Sequence, residues 1–169
     1  MPTIYTIGYR RKPLSTFIRQ LQEAGVDVVV DVRLRNTSHL AGYAKRDTLA
    51  FLLTEGFDIA YEHHPELAPT DDILDAYNEN SDWRAYEQAF VPLLAERESE
   101  AVGREIITRD RRPCLLCAEA TADHCHRRLV AEHWADAIPD LTIIHLYRTQ
   151  YPYRRSSFRP LFFRALPIV

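Results

Sequence analysis

The sequence predicts an α/β fold: a single three-layer domain with a mostly parallel sheet of about five strands flanked by helices. Three observations lead there. Short β-branched runs alternate along the chain with stretches of helical periodicity, the pattern of strand–helix–strand units. One run, Val26 to Val32, is apolar on both faces, as a central parallel strand must be. The chain has 169 residues, of which 46% are hydrophobic and 27% charged, values that suit one core and exclude disordered, collagen-like and coiled-coil classes.

The elements follow in order. Ile4-Tyr5-Thr6-Ile7 reads as a short strand ending at Gly8. Leu14, Phe17, Ile18 and Leu21 recur at i, i+3, i+4 and i+7, the apolar stripe of an amphipathic helix, which Gly25 closes. After the Val26–Val32 strand, Asp47 is placed to cap a helix over residues 48–54 that ends at Gly56, and Phe57 to Tyr61 form a third strand. Asp71 caps a short helix. Trp83, Tyr86, Phe90, Leu93 and Leu94 share one face of a longer helix that Pro92 bends or interrupts. Ile106 and Ile107 belong to another helical segment, ahead of Arg109-Asp110-Arg111-Arg112. Pro113 to Ala118 make a fourth strand, Cys125 to Ala137 a helix, and Leu141 to Leu146 the last strand. Residues 1–146 therefore form the domain and residues 147–169 a C-terminal extension, with no internal repeat or low-complexity stretch.

The longest apolar runs, Val28-Val29-Val30 and Cys114-Leu115-Leu116-Cys117-Ala118, are far short of a membrane span. The opening MPTIYTIGYRRK carries no charged leader before an apolar core, so no signal peptide is expected. Three cysteines, an odd number, argue against a secreted disulfide framework, and a cytoplasmic protein is expected. The net charge of −3 is uneven: Tyr147 to Val169 hold five arginines and no acid, leaving residues 1–146 with −8. In that segment Arg148, Arg154, Arg155, Arg159 and Arg164 are interleaved with Tyr147, Tyr151, Tyr153, Phe158, Phe162 and Phe163. Arginine among aromatics is what a single-stranded nucleic-acid surface uses, through phosphate contacts and base stacking. The same segment also reads as an extension packed on its own domain or on a second copy, its arginines reaching water at the rim. The sequence sets no oligomeric state.

In an open parallel sheet, ligands bind at the carboxyl ends of the strands near the point where strand order reverses. Here those ends carry Gly8-Tyr9-Arg10, Asp31-Val32-Arg33, Cys117-Ala118-Glu119 and His145. The stretch from Cys117 to Arg127 joins a buried strand to a helix, whose unpaired first amides and positive dipole end make an anion site. Arg127 adds a bidentate partner for phosphate or carboxylate. A thiol placed there has a lowered pKa, with His126 or His124 as its base. The expectation is a small anionic or nucleotide-like ligand in the strand-end crevice, with Cys117, Glu119 and His126 catalytic and Gly8, Tyr9, Asp31, Arg33, Cys125, Arg127 and His145 binding substrate. Cys114, inside the apolar strand, reads as a small buried filler, a reading open to Cys117 and Cys125 as well.

Zinc is the rival use of Cys114-x2-Cys117-x7-Cys125-His126. Residues 114 and 117 are an odd number apart, so an unbroken strand turns them to opposite faces, and adjacent Cys125 and His126 are an awkward pair for one tetrahedral site. No metal or other cofactor is expected. Asp31 and Arg33 share one side of their strand and either pair with each other or hold a ligand. His63-His64-Pro65-Glu66 can approach the crevice from a loop, and the polar, basic loop 34–46 suits a lid or a phosphate contact.

The combination of Thr6-Ile7-Gly8-Tyr9, Asp31-Val32-Arg33 with Thr37-Ser38, Cys117-Ala118-Glu119 and Cys125-His126-Arg127 resembles the DUF488 family, over about residues 3 to 146. The stretches Asp31 to Leu34, Leu40-Ala41-Gly42 and Pro65 to Thr70 are similar to one subgroup of it. The family is one of unknown function, so the resemblance implies that the Cys-Glu and Cys-His-Arg residues form a family motif and carries no reaction with it. A looser likeness of layout is to rhodanese-like sulfurtransferases, in which the loop cysteine carries a persulfide. Arg127 lies ten positions after Cys117 and none of the residues between them is glycine, which argues against a tight cradle of amides around the sulfur.

Two functions follow as expectations. One is an enzyme with Cys117 as nucleophile or redox centre, His126 or Glu119 as its acid/base partner and Arg33 and Arg127 as an anion clamp. The other is a nucleic-acid-binding or accessory module, in which the C-terminal arginines with Arg10, Arg11, Lys45 and Arg46 contact phosphates.

Overall fold

The structure is a computed structural model that describes residues 1–108 and 110–147. Apart from Tyr147, the predicted extension with its five arginines lies outside the described residues, as does Arg109.

Five strands, β1 (Thr3–Gly8), β2 (Val28–Asp31), β3 (Ala60–His63), β4 (Pro113–Cys117) and β5 (Thr142–Leu146), form one sheet in the order β3-β2-β4-β1-β5. Every neighbouring pair is parallel. β2 and β4 are buried along their whole length, which is why VVVD and PCLLC show no polar alternation, whereas the edge strands β3 and β5 are partly exposed. The helices α1 (Leu14–Glu23) and α2 (Arg46–Phe57) cover one face, packing Phe17, Leu21, Leu49 and Leu53 on Ile7, Val29 and Leu116. The helices α3 (Asp71–Asn80), α4 (Trp83–Glu96), α5 (Ser99–Ile106) and α6 (His126–Ala137) cover the other, packing Phe90, Leu94, Ile106, Val130 and Trp134 on Ile4, Val28, Val30, Val32 and Leu115. The predicted three-layer α/β architecture is therefore the observed one, with a sheet that is wholly parallel.

Local chemistry accounts for where the predicted boundaries move. α2 runs through Gly56 to Phe57 because Asp58, at φ 55, takes the left-handed position that ends it, and β3 starts at Ala60, where Ala60 N–H meets the Asp27 carbonyl. Lys45, not Asp47, precedes that helix, and Asp47 lies in its first turn, where the dipole favours an acid. Thr70 rather than Asp71 caps α3, its hydroxyl accepting from the Ile73 amide. α4 continues past Pro92 to Glu96: residues 88 and 92 both lie on the exposed side, so the carbonyl that loses its partner is open to water. Ile107 sits just past the end of α5. Gly25, at φ +66, follows α1 as predicted. Among the described residues no helix is long and apolar enough to cross a membrane.

The strand order fixes where a ligand belongs. The connection leaving β1 runs toward β2, and the one leaving β4 runs toward β5 on the opposite side. β1 and β4 are hydrogen-bonded neighbours, so their chains diverge at adjacent carboxyl ends, Gly8 and Cys117, and open a crevice there.

Candidate functional site

Cys117 ends β4, and strand parity decides which way it faces. Leu115 packs among α4–α6, while Cys114 and Leu116 pack under α1 and α2. Cys117, in step with Leu115, therefore faces α6, and Cys114 sits in the opposite core, where burial pushes its thiol far above the ordinary range. Cys125 is the residue ahead of α6, extended at φ −144 and ψ 133, and its side chain makes no capping bond to the helix. His126 and Arg127 open the helix. One ligand atom each from Cys117, Cys125 and His126 thus come within 4.8 Å of one another, all three residues buried.

Around the Cys117 sulfur the donors converge. The Cys125 sulfur and a ring nitrogen of His126 lie within 4.8 Å of it, and the Arg127 guanidinium, 3.1 Å from the Cys125 sulfur, brings a positive charge close by. The Cys125 thiol is the largest influence on its pKa, and together with the Ala118 and Glu119 amides and the Arg127 charge it outweighs burial, holding the Cys117 thiol below its ordinary range. Cys125 moves the other way: burial, reinforced by the neighbouring Cys117 sulfur, pushes its thiol well up. The two sulfurs are thus differentiated, the Cys117 thiol held below its ordinary range and the Cys125 thiol above it.

His126 is oriented by the backbone. Its Nε2 lies 2.7 Å from the Val32 carbonyl, an acceptor that requires Nε2 to carry the proton. In the neutral ring that leaves Nδ1 as a lone pair, 3.6 Å from Cys117 Sγ. This is the arrangement in which an imidazole can receive a thiol proton.

Arg127 ties the pieces together from behind. Its Nη1 donates to the Glu119 carbonyl at 2.8 Å and to Cys125 Sγ at 3.1 Å, and its Nε donates to Thr6 Oγ1 at 3.4 Å. Thr6 lies 2.8 Å from His145 Nδ1. Gly8 is required by contact, since a Cβ there would stand 1.7 Å from the Glu119 carbonyl oxygen.

A second buried pair stands at the end of β2. Arg33 reaches back to Asp31 with Nε at 2.8 Å and Nη2 at 2.6 Å, and Nη2 also donates to the Ala44 carbonyl. Tyr61 and Asn36 donate to the same carboxylate, at 2.5 and 3.1 Å. Burial alone would raise the Asp31 pKa, but these bonds and the Arg33 charge hold it below the usual carboxylate range. Arg33 Nη1 is buried without a hydrogen-bond partner, and the guanidinium lies over the Tyr9 ring at 5.1 Å.

These groups border a cleft of about 650 Å³. Cys117, Cys125, His126, Tyr9, Arg33 and Glu119, all singled out from the sequence, line it. Glu119 is held at 2.5 Å by Arg10. Gly8, Asp31, Arg127 and His145 do not line it: the first three position the lining from behind, and His145 borders a separate pocket with Tyr5, Gln20 and Tyr147. His63 instead meets the Arg33 carbonyl at 2.9 Å, and His64 pairs with Glu62 and Glu66. Of loop 34–46, Leu34 and Arg35 reach the cleft, and Arg35 pairs with Asp71.

Sequence reasoning missed the opposite wall. Tyr77, Trp83 and Tyr86 line the cleft as a packed aromatic group, Trp83 stacked on Tyr86 with centroids 4.8 Å apart and His124 beside Trp83. The i, i+3 spacing of Trp83 and Tyr86 marks a helix face but not that its end borders a crevice. Thr6 was also missed as a site residue, although its parity with Ile4 places it on the α6 face of β1.

Two sulfurs and an imidazole nitrogen form a donor set suited to a soft transition metal, and the adjacency of Cys125 and His126 does not keep them apart. The Arg127 guanidinium on the Cys125 sulfur competes with a cation for that atom.

Residues 13–134 match the model of a family described as "Domain of unknown function DUF488". No curated protein and no solved structure matches the chain.

Proposed function

The chain belongs to the DUF488 family, and from that premise we propose that the cleft over Cys117 is an active site in which the Cys117 thiolate attacks a small anionic or nucleotide-like substrate. The observation that carries this reading is the surrounding of one sulfur by a second thiol, within 4.8 Å, and an imidazole lone pair 3.6 Å away, with the Arg127 guanidinium on the second thiol. A structural cysteine does not need those neighbours; a nucleophile does. His126 Nδ1 takes the thiol proton while Nε2–H stays on the Val32 carbonyl, so the imidazolium is stabilised without turning the ring. Glu119, at the cleft mouth with Arg10, is the further acid/base group. The unpartnered Nη1 of Arg33 is the donor for the substrate's anionic group, and Tyr77, Trp83 and Tyr86 form the surface for a planar part of it.

The test is the rate of Cys117 alkylation against pH on metal-assayed protein. A midpoint well below about 8.5, the value of a free cysteine, supports the nucleophile and directs a screen toward phosphorylated and electrophilic substrates. An unreactive, metal-free Cys117 sinks the reading. The interleaved arginines and aromatics of residues 148–169 favour a second reading, binding of single-stranded nucleic acid. Deleting that segment would then remove binding that weakens steeply with salt and leave Cys117 alkylation unchanged.

A further inference from the structure

We propose that Cys117 and Cys125 are a peroxide-responsive pair that closes to a reversible disulfide and thereby switches the site off. The inference rests on the reading of Cys117 as a nucleophile open to the cleft. Three observations carry it. The sulfurs lie within 4.8 Å of each other, both buried beside His126. Both border the cleft, whose volume of about 650 Å³ admits a small peroxide. Cys125 sits ahead of α6 with no side-chain capping bond to give up, so it can turn toward its neighbour without opening the helix. A purely structural thiol is not expected on a second nucleophile, whereas a resolving thiol is expected there.

The chemistry balances with a hydroperoxide as the named oxidant. Cys117 sulfur attacks one peroxide oxygen, so an S–O bond forms and the O–O bond breaks. The departing hydroxide or alkoxide takes the proton that His126 Nδ1 accepted from the Cys117 thiol. Cys117 is left as sulfenic acid, oxidised by two electrons, and the peroxide is reduced to water or alcohol. The Cys125 sulfur then attacks the sulfenic sulfur: S–S forms, S–O breaks, and the hydroxyl leaves as water with the Cys125 thiol proton. A dithiol reductant reverses the step by thiol–disulfide exchange. Arg127 Nη1, 3.1 Å from Cys125 Sγ, is placed to steady that sulfur as its proton leaves. Cys114, on the other face of the sheet, is the internal control.

The experiment treats the reduced full-length chain with one equivalent of hydrogen peroxide. It counts thiols in denaturant, maps the linked peptides by mass spectrometry and measures Cys117 alkylation on an untreated sample. The expected result is a fall from three titratable thiols to one, a 117–125 link, and full recovery with dithiothreitol. In Cys125→Ser, the oxidised Cys117 should instead be trapped by a 1,3-dione as sulfenic acid. If untreated Cys117 alkylates rapidly but peroxide leaves three thiols, or drives Cys117 to sulfinic acid with Cys125 free, the disulfide proposal is overturned and the nucleophile stands. If Cys117 is inert to alkylator and peroxide alike, both fall.

Discussion

Gly8 and Glu119 meet where no side chain fits: a Cβ on residue 8 would lie 1.7 Å from the Glu119 carbonyl oxygen, which itself accepts from Arg127. The end of β1 thereby presses on the turn after β4 two residues beyond Cys117, whose thiol the Glu119 amide helps to hold below its ordinary range. Gly8→Ala must displace that peptide, so it should cost about 1–3 kcal/mol in urea unfolding and slow Cys117 alkylation at neutral pH. Wild-type values for both would show that the turn yields freely and that the contact constrains nothing.

The Cys125 thiol is the largest influence lowering the Cys117 pKa. Cys125→Ala should therefore raise the midpoint of Cys117 alkylation. Cys114→Ala, a change in the opposite core, should leave that midpoint in place while lowering stability. A midpoint that ignores residue 125 would remove the thiol–thiolate pair from the account.

Much of this was legible in the sequence, and the reasons are specific. Parity alone separated Cys114 from Cys117, and Val26–Val32 announced a strand covered on both faces. The strand-end rule gathered Gly8, Arg33 and Cys117 before any coordinate. What sequence could not carry was distance between elements. The adjacency of Cys125 and His126 argued against their sharing a site, yet the helix start turns Cys125 Sγ and His126 Nδ1 toward one sulfur. Gly8 read as a strand end, but its reason is a carbonyl 111 residues away. Trp83 and Tyr86 read only as part of a helix face because nothing local reveals that α4 borders the crevice.

Asp31 and Arg33 make a buried ion pair, with side-chain exposures of 0% and 5%. Removing one partner strands the other, so Asp31→Asn should cost about 3–5 kcal/mol, whereas Asp31→Leu combined with Arg33→Met should cost less than the single change. The folded pKa of Asp31 lies below its unfolded value. Its contribution is therefore fully present above about pH 4 and is lost as pH falls through the folded value. The stability gap between wild type and Asp31→Asn should stay constant from pH 7 to about 5 and narrow only below about 4. A gap that narrows already near neutrality would assign it to another group.

The Val32 carbonyl makes a prediction about a single proton. With Nε2 donating to it at 2.7 Å, neutral His126 must be the Nε2–H tautomer with Nδ1 bare toward Cys117. Long-range nitrogen–proton correlation spectra of selectively labelled protein should show that tautomer. Finding Nδ1–H instead would place a donor, not a base, on the sulfur and would reassign the proton acceptor to another group.

Lys12 lies 7% exposed under the turn after β1, its ammonium donating to the Leu146 carbonyl at 3.3 Å. Burial lowers its pKa from 10.5 to about 8; Cys114 opposes the shift and Arg127 adds to it. Because the folded value is the lower one, the charged form is penalised in the fold. The penalty is complete below about pH 8, where both states carry the proton, and vanishes above about 10.5, where neither does. Between these limits the unfolded chain binds more protons, so this group makes stability rise with pH. Lys12→Met removes the titration while keeping the apolar stem, and other titrations cancel in the difference between the two proteins. Wild type should thus gain about 1–3 kcal/mol relative to Lys12→Met between pH 8 and 10.5, solvent screening trimming the full value. Urea midpoints measured across that range decide it. A difference that stays flat would mean that the ammonium finds water or an anion in the fold, and a falling one would mean that Lys12 is held charged by a partner.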